Sequence, residues 1–320
     1  MKAIGGYFEL ELSKGKEYHP HLLKLNTGRN CLEYLLRTGN YKKLYLPCYS
    51  CKVLLEPLNK LKIEYEFYDI DRNLDPIIKS LPKPEEAFLY INYFGIKNEM
   101  AEFLKKKISN LILDNSQAFF SPVISSTGTF YSARKFFGVP DGAYLATNKE
   151  LDEELVPDHS DDRCSHLLKR IDYTAEYAYS DYQDNNRKLS HQPILHMSKL
   201  TQQLLNQIDY ASIKKRREEN FSYLHKSLSA YNQLRISNSD IHGPMIYPLY
   251  IENDEIRQEL IKQRIFVATY WPNVLQECSE DTVAYQMAKN LLALPIDQRY
   301  SIQDMNRIIE VIQQIFVKAI

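Results

Sequence analysis

The chain has 320 residues, 44% of them hydrophobic and 25% charged, and its forty basic against forty-one acidic side chains leave a formal net charge of −1. That balance offers no positive excess for a nucleic-acid or anionic-membrane partner, and no apolar run approaches the ~20 residues of a membrane helix. The opening MKAIGGYFELELSKGKEYHP lacks the apolar core of a signal peptide, so the cytosol is the expected location.

Strand and helix patterns alternate at short intervals between residues 22 and 150. NTGRNCLEYLLRT predicts a helix capped by Thr27, with Leu32, Leu35 and Leu36 at helical spacing. KKLYLP predicts a strand stopped by Pro47, SCKVLLEPLNKL an amphipathic helix and IEYEFYDID another strand. AFLYINYF reads as a strand, NEMAEFLKKKI as a helix, NLILDNS as a buried strand, and GTFYSA and GAYLAT as two more strands. This alternation predicts an α/β fold with a mostly parallel central sheet covered by helices. Residues 150–200 are polar, rich in turn formers and without clear periodicity. A long helical pattern then runs from MSKLTQQLL to SYLHKSL, followed by MIYPLYIE (strand), DEIRQELIKQ (helix), IFVATYWP (strand) and SIQDMNRIIEVIQQIFVKAI (helix). The expected organisation is a large domain over residues 1–205 and a smaller C-terminal α/β domain over residues 206–320.

Five cysteines in a chain of this length do not make a disulfide framework. Cys48 and Cys51 form a C-x-x-C, the spacing of a redox pair or of half a zinc site. No second pair or nearby histidine pair completes a metal site, and LYLPCYSCKVLLEPL also reads as a strand leading into a helix, where thiols pack well. The twenty-four tyrosines are core-edge and interface material in the ordinary case.

Four features carry chemistry together. Asn26-Thr27-Gly28-Arg29-Asn30 is a turn opening a helix, whose unpaired N–H groups and dipole suit a phosphate, although Thr27 as a simple cap explains it equally. Asp114 ends the apolar strand LILD, where ligands bind in open α/β sheets; a carboxylate there can keep a pyridinium nitrogen protonated, or merely cap a helix. In GTFYSARKFFGVPDGAYLAT, Lys135 sits among apolar residues, surroundings that favour loss of its charge and a Schiff-base role. Ser132 is near enough in sequence to reach the same phosphate as Thr27. The order of elements in the C-terminal stretch suggests a domain capping a cleft.

Read together, TGRN, DNSQ and KFFGVPDGA resemble, in order and spacing, the phosphate turn, the Asp-x-x-Gln and the Schiff-base lysine turn of DegT/StrS-type sugar aminotransferases. These are fold type I pyridoxal-phosphate enzymes, and the likeness runs from GGYFELE to ALPIDQRYSIQDMNRIIEVI. It implies an aspartate-aminotransferase-like large domain, pyridoxal 5'-phosphate as cofactor, and transfer of an amino group from an amino-acid donor such as glutamate to a keto sugar. Lys135 would form the Schiff base and shuttle the proton, Asp114 would hold the ring nitrogen, and Gln117 the phenolic oxygen. Thr27, Gly28, Arg29, Asn30 and Ser132 would hold the phosphate. The family's stacking aromatic falls at Cys51, with Tyr49 the nearest aromatic, and its partner-subunit asparagine falls at Ile194. Phe130 stands where the family commonly has serine and Ser132 where it has histidine. A homodimer is also implied, with Tyr7, Phe8 and residues 183–197 as interface candidates. Related dehydratases replace the lysine by histidine, so Lys135 points to transamination. A pyridoxal-phosphate enzyme acting on a non-sugar substrate, a non-catalytic binding relative of the fold, and a C-x-x-C redox or metal protein are the alternatives.

Overall fold

A computed structural model describes residues 4–124, 128–237 and 240–318. The first half runs β1 (Leu23–Leu25), α1 (Gly28–Gly39), β2 (Lys43–Pro47), α2 (Leu55–Leu61), β3 (Glu64–Tyr68), β4 (Glu86–Ile91), α3 (Asn98–Lys107), β5 (Leu111–Asn115), β6 (Thr129–Ser132) and β7 (Ala143–Ala146). The seven strands form one sheet in the order β1-β7-β6-β5-β4-β2-β3. Pairings from β3 through β2, β4 and β5 to β6 are parallel, and β7 is antiparallel to both its neighbours. Residues of β4 and β5 are buried throughout, as expected of parallel strands covered on both faces. The edge strand β3, EYEFY, keeps its first four residues exposed and its two glutamates discourage edge pairing.

The second half contains α4 (Ser165–Asp172), α5 (Tyr179–Lys188), α6 (Lys199–Leu205), α7 (Tyr210–Leu228), β8 (Ile246–Tyr250), α8 (Asp254–Lys262), α9 (Val274–Glu277), α10 (Val283–Asn290), β9 (Leu291–Pro295) and α11 (Ile302–Lys318). β8 and β9 make a two-stranded antiparallel sheet. A second apolar core gathers there, with Phe221 and Leu224 of α7, Tyr247 and Leu249 of β8, and Met305, Ile308 and Ile312 of α11.

Three expectations need correction. The continuous helix over residues 197–228 is two helices, because Asp209 starts a new one by accepting from the Ser212 N–H at 3.0 Å. IFVATYWP is not a strand: the partner of β8 is the apolar run LLALP, and the predicted segment touches the sheet through only an Ala268–Ala293 bridge. The polar middle holds α4 and α5, which bury only His166 and Asn185 respectively, and the apolar Leu168 and Ile171 of α4 are exposed and not packed into a core.

His19 lies in an aromatic nest, its ring 4.3 Å from Tyr131 and 4.9 Å from Phe119, with Nε2 2.9 Å from the Phe119 carbonyl. Burial depresses its pKa to about 4 from the usual 6.5, the Phe119 carbonyl opposing only partly. The unfolded chain therefore takes up this proton first as pH falls, so the stabilisation is complete above the unfolded value and disappears through the folded one. Between those limits the loss approaches about 3 kcal/mol. Urea midpoints across that window should fall steeply for the native chain and less steeply for His19→Gln.

Candidate functional site

The carboxyl ends of β5 and β6 and the start of α1 converge on a cavity of about 190 Å³. Its walls include Thr27, Gly28, Arg29, Cys51, Asp114, Gln117, Ser132 and Lys135, eight of the nine residues singled out in the sequence. Asn30 is not on the wall. Its amide donates to Asn26 Oδ1 and to the Pro193 carbonyl, both at 2.7 Å, so it braces the turn from behind.

The turn itself is built as expected. Thr27 caps α1, its hydroxyl accepting from the Asn30 N–H at 3.2 Å. The first N–H groups of a helix have no partner within it, which leaves those of Gly28 and Arg29 for a ligand. A Cβ on Gly28 would stand 3.3 Å from Ser116 Oγ and 3.8 Å from the Phe130 ring, so glycine keeps this corner open. The Arg29 guanidinium is already engaged, in a 2.5 Å ion pair with Glu56. Arg29 therefore offers its backbone to the cavity rather than a free charge.

Asp114 is 6% exposed and accepts from the Ser116 N–H at 2.7 Å. Burial raises its pKa, against the opposing pull of the Lys135 charge and of Ser116. Gln117 is oriented by its Oε1, which accepts from the Phe94 N–H at 3.1 Å. Its Nε2 is buried and has no partner among the described residues. An amide fixed at one end and unpaired at the other, on a cavity wall, fits a ligand that brings an acceptor.

Lys135 differs from expectation. The residues around it, Ala133, Phe136 and Phe137, are buried, but the lysine is exposed, because it lines this cavity and a second, larger one. It makes no hydrogen bond or ion pair within the protein, among the described residues. The turn after it is anchored through Asp141, fully buried, which accepts from Ser198 N–H at 2.9 Å, from Ser198 Oγ at 2.7 Å and from the Thr201 hydroxyl.

The larger cavity, about 460 Å³, is the part the sequence did not reveal. Arg134 and Lys135 belong to both cavities; His166, Arg170, Tyr179 and Tyr182 line only the larger one. Arg134 donates to Asn186 at 2.8 Å, while its Nε is buried without a partner. His166 is likewise buried, and burial, aided by the Arg134 charge, lowers its pKa against the pull of the Arg163 backbone. Such a wall suits an anionic ligand. The helices carrying these residues lie in the polar segment where no periodicity marked them. Tyr270 and Trp271 also line the smaller cavity, from the segment misread as a strand.

Tyr49 does not reach the cavity; it is fully buried and stacks on Tyr93 at 5.5 Å. Burial, with Asp69 and Cys278 nearby, pushes the Cys48 thiol up to about 12, the opposite of what a redox thiolate requires. Among the described residues no cluster of His, Cys, Asp and Glu could hold a metal, and no helix is long and apolar enough to cross a membrane.

No family model and no curated protein matches the chain in sequence. Solved structures do match its fold. The sugar aminotransferase CalS13 from Micromonospora echinospora superposes with a TM-score of 0.67 at 13% identity, over 92% of this chain and 87% of that one. A DegT DnrJ EryC1 StrS aminotransferase from Brucella abortus gives a TM-score of 0.62 at 15% identity, over 92% of this chain and 86% of its own. The PLP-form of Spr1654 from Streptococcus pneumoniae gives 0.65 at 14% identity, over 93% and 87%. The likeness establishes that this chain has the aminotransferase fold.

Because Asp141 satisfies three donors from α6 and the residue before it, Asp141→Ala should lower stability by about 3 kcal/mol. Asp141→Asn should cost less. Urea denaturation of the two variants beside the native chain measures both.

Proposed function

We propose that the chain is a pyridoxal-phosphate-dependent aminotransferase that passes an amino group from an amino acid, glutamate in the first instance, to a keto sugar carrying an anionic, nucleotide-type group. The observation that carries this reading is the meeting, in one cavity of an aminotransferase fold, of the α1 N-terminus, Asp114, Lys135 and the unpaired Gln117 Nε2. The sugar aminotransferase CalS13 and a structure of DesI with its TDP-sugar product support the substrate class.

When bound, the cofactor supplies a carbonyl that accepts amines and a ring that stabilises a carbanion. The chain's residues do the rest. The N–H groups of Gly28 and Arg29, with Thr27 and Ser132, hold the phosphate. Asp114, shielded by burial, would hold the ring nitrogen in its protonated form. Gln117 Nε2 donates to the ring oxygen. Lys135, held by no protein partner, is free to act as the amine nucleophile and to carry a proton to and from the substrate carbon. Arg134, Arg170 and His166 bind the anionic groups of the two substrates in turn, on the other side of Lys135.

We further take the chain to work as a cytoplasmic homodimer of two-domain subunits, divided near residue 205. Tyr7 and Phe8, 100% and 93% exposed, support a partner surface at the N-terminal segment.

The purified chain with pyridoxal phosphate should show an absorption band at roughly 410–430 nm, which borohydride fixes to Lys135 and glutamate moves to roughly 330 nm. Lys135→Ala should lose the borohydride adduct, and its glutamate half-reaction should slow by about 100-fold or more. A native chain that binds no cofactor would return it to the non-catalytic relatives of the fold.

Arg170 borders only the larger cavity, so Arg170→Gln should raise KM for the anionic substrate about three- to tenfold and leave kcat and the visible band nearly unchanged. Steady-state kinetics over substrate concentration separates the two parameters.

A further inference from the structure

Cys51 itself brings no ring to the cavity, yet the cavity is not without one. We infer that Trp271 is the aromatic platform for the cofactor ring, in place of the aromatic side chain that this chain lacks at Cys51. The inference rests on the pyridoxal-phosphate reading of the cavity.

Cys51 and Trp271 border the same cavity as Asp114 and Gln117. A thiol presents too little surface to cover a pyridine ring, whereas an indole presents a broad, electron-rich face suited to a cationic one. The segment bearing the tryptophan is fastened to the turn bearing Cys51. Asn273 Nδ2 donates to the Ser50 carbonyl at 3.2 Å, and the Trp271 and Tyr49 rings meet edge to face with centroids 5.0 Å apart at 65°. Tyr49 is itself clamped from behind by Tyr93, whose hydroxyl donates to the Tyr49 carbonyl at 2.8 Å. Tyr49, the aromatic nearest to Cys51 in sequence, thus supports the indole and does not reach the ligand.

The other two rings on the wall are placed for different work. Phe130 packs near Gly28, at the phosphate-binding turn. Tyr270 stands nearly perpendicular to Trp271, at 81°, and packs on Phe94. Trp271 is the ring tied to the Cys51 turn, and the apolar residues around it hold it in place without filling the cavity.

Trp271 is the only tryptophan in the chain, so its emission reports on this one wall. The full chain would be titrated with pyridoxal phosphate while indole emission and the visible band are followed together, in the native protein, Trp271→Leu and Trp271→Phe. Leucine keeps an apolar side chain against Tyr49 without a ring, and phenylalanine keeps a smaller ring. Emission of the native chain should fall in step with the growth of the visible band. Trp271→Leu should bind the cofactor about five- to tenfold more weakly, and Trp271→Phe should recover most of that loss. A full visible band with unchanged indole emission overturns the inference. So does Trp271→Leu binding as tightly as the native chain while circular dichroism shows it folded. If the native chain shows no visible band, the cofactor reading fails first and the platform falls with it, an outcome distinct from the other two.

Discussion

The peptide of Phe94 holds the two halves of the molecule to the cavity. Its N–H donates to Gln117 Oε1 at 3.1 Å and its carbonyl accepts from the Met245 N–H at 2.9 Å, just before β8. To present both groups at once the residue adopts a left-handed conformation, φ 57°, which costs a non-glycine residue about 1–2 kcal/mol. Gly95 follows at φ 76°, where a Cβ would come within 3.3 Å of the Gln117 carbonyl. The turn is braced by Asn92, whose own N–H donates to the Asp114 carbonyl at 3.0 Å and whose Oδ1 accepts from the Lys97 N–H. Strain of this kind persists only where the surroundings over-determine it, and here it fixes Gln117, whose other amide atom is unpaired among the described residues.

A buried arginine repeats the same logic on the other side of the cavity. Arg217 of α7 donates to the carbonyls of Pro244 and Met245 at 3.1 and 3.2 Å and to Gln298, and lies 4.6 Å over the Phe136 ring. Gln298 in turn donates to the Phe136 carbonyl at 2.8 Å, one residue after Lys135. Burial lowers the Arg217 pKa only to about 10, with the Asp297 charge opposing it, so the cation persists at neutral pH, held by carbonyl dipoles and a nearby carboxylate. Arg217 lines the larger cavity but its donors are spent on the fold. With Asp297 and Arg299 paired to each other, Arg134, Arg170 and Lys135 are the remaining charged side chains on that wall among the described residues.

The sheet and the smaller cavity were legible because each depended on local pattern. A Thr-capped helix start, an apolar strand ending in Asp114 and the Lys135 turn are each contained within a few residues, and their order along the chain follows the strand ends. What could not be read depended on contacts across the chain. LLALP became β9 because β8 offered it a partner, while the equally strand-like IFVATYWP met only one bridge. Asn30 looked like a phosphate ligand by position, but Pro193, far away in sequence, claims its amide. Arg134, His166 and Arg170 are one lysine-adjacent residue and two members of a polar helix; nothing in their spacing says that they close around one space. Lys135 was expected to be enclosed because its neighbours are apolar, yet those neighbours face the core and turn the lysine outward.

The positions at which this chain departs from the pattern it resembles are consistent with one another when the cavity is treated as a volume to be filled. Phe130, where the resembled pattern has serine, lies beside Gly28, and Ser132 and Thr27 line the same wall. Cys51, where the resembled pattern has an aromatic ring, shares its wall with Trp271 from the other half of the chain. At 13–15% identity to solved aminotransferases the fold survives, and in this chain Asp114, Gln117 and Lys135 meet in one cavity. The charged and hydrogen-bonding groups resist such exchange because a misplaced buried donor costs about 1–3 kcal/mol, whereas an apolar wall can be rebuilt from any direction that supplies the volume.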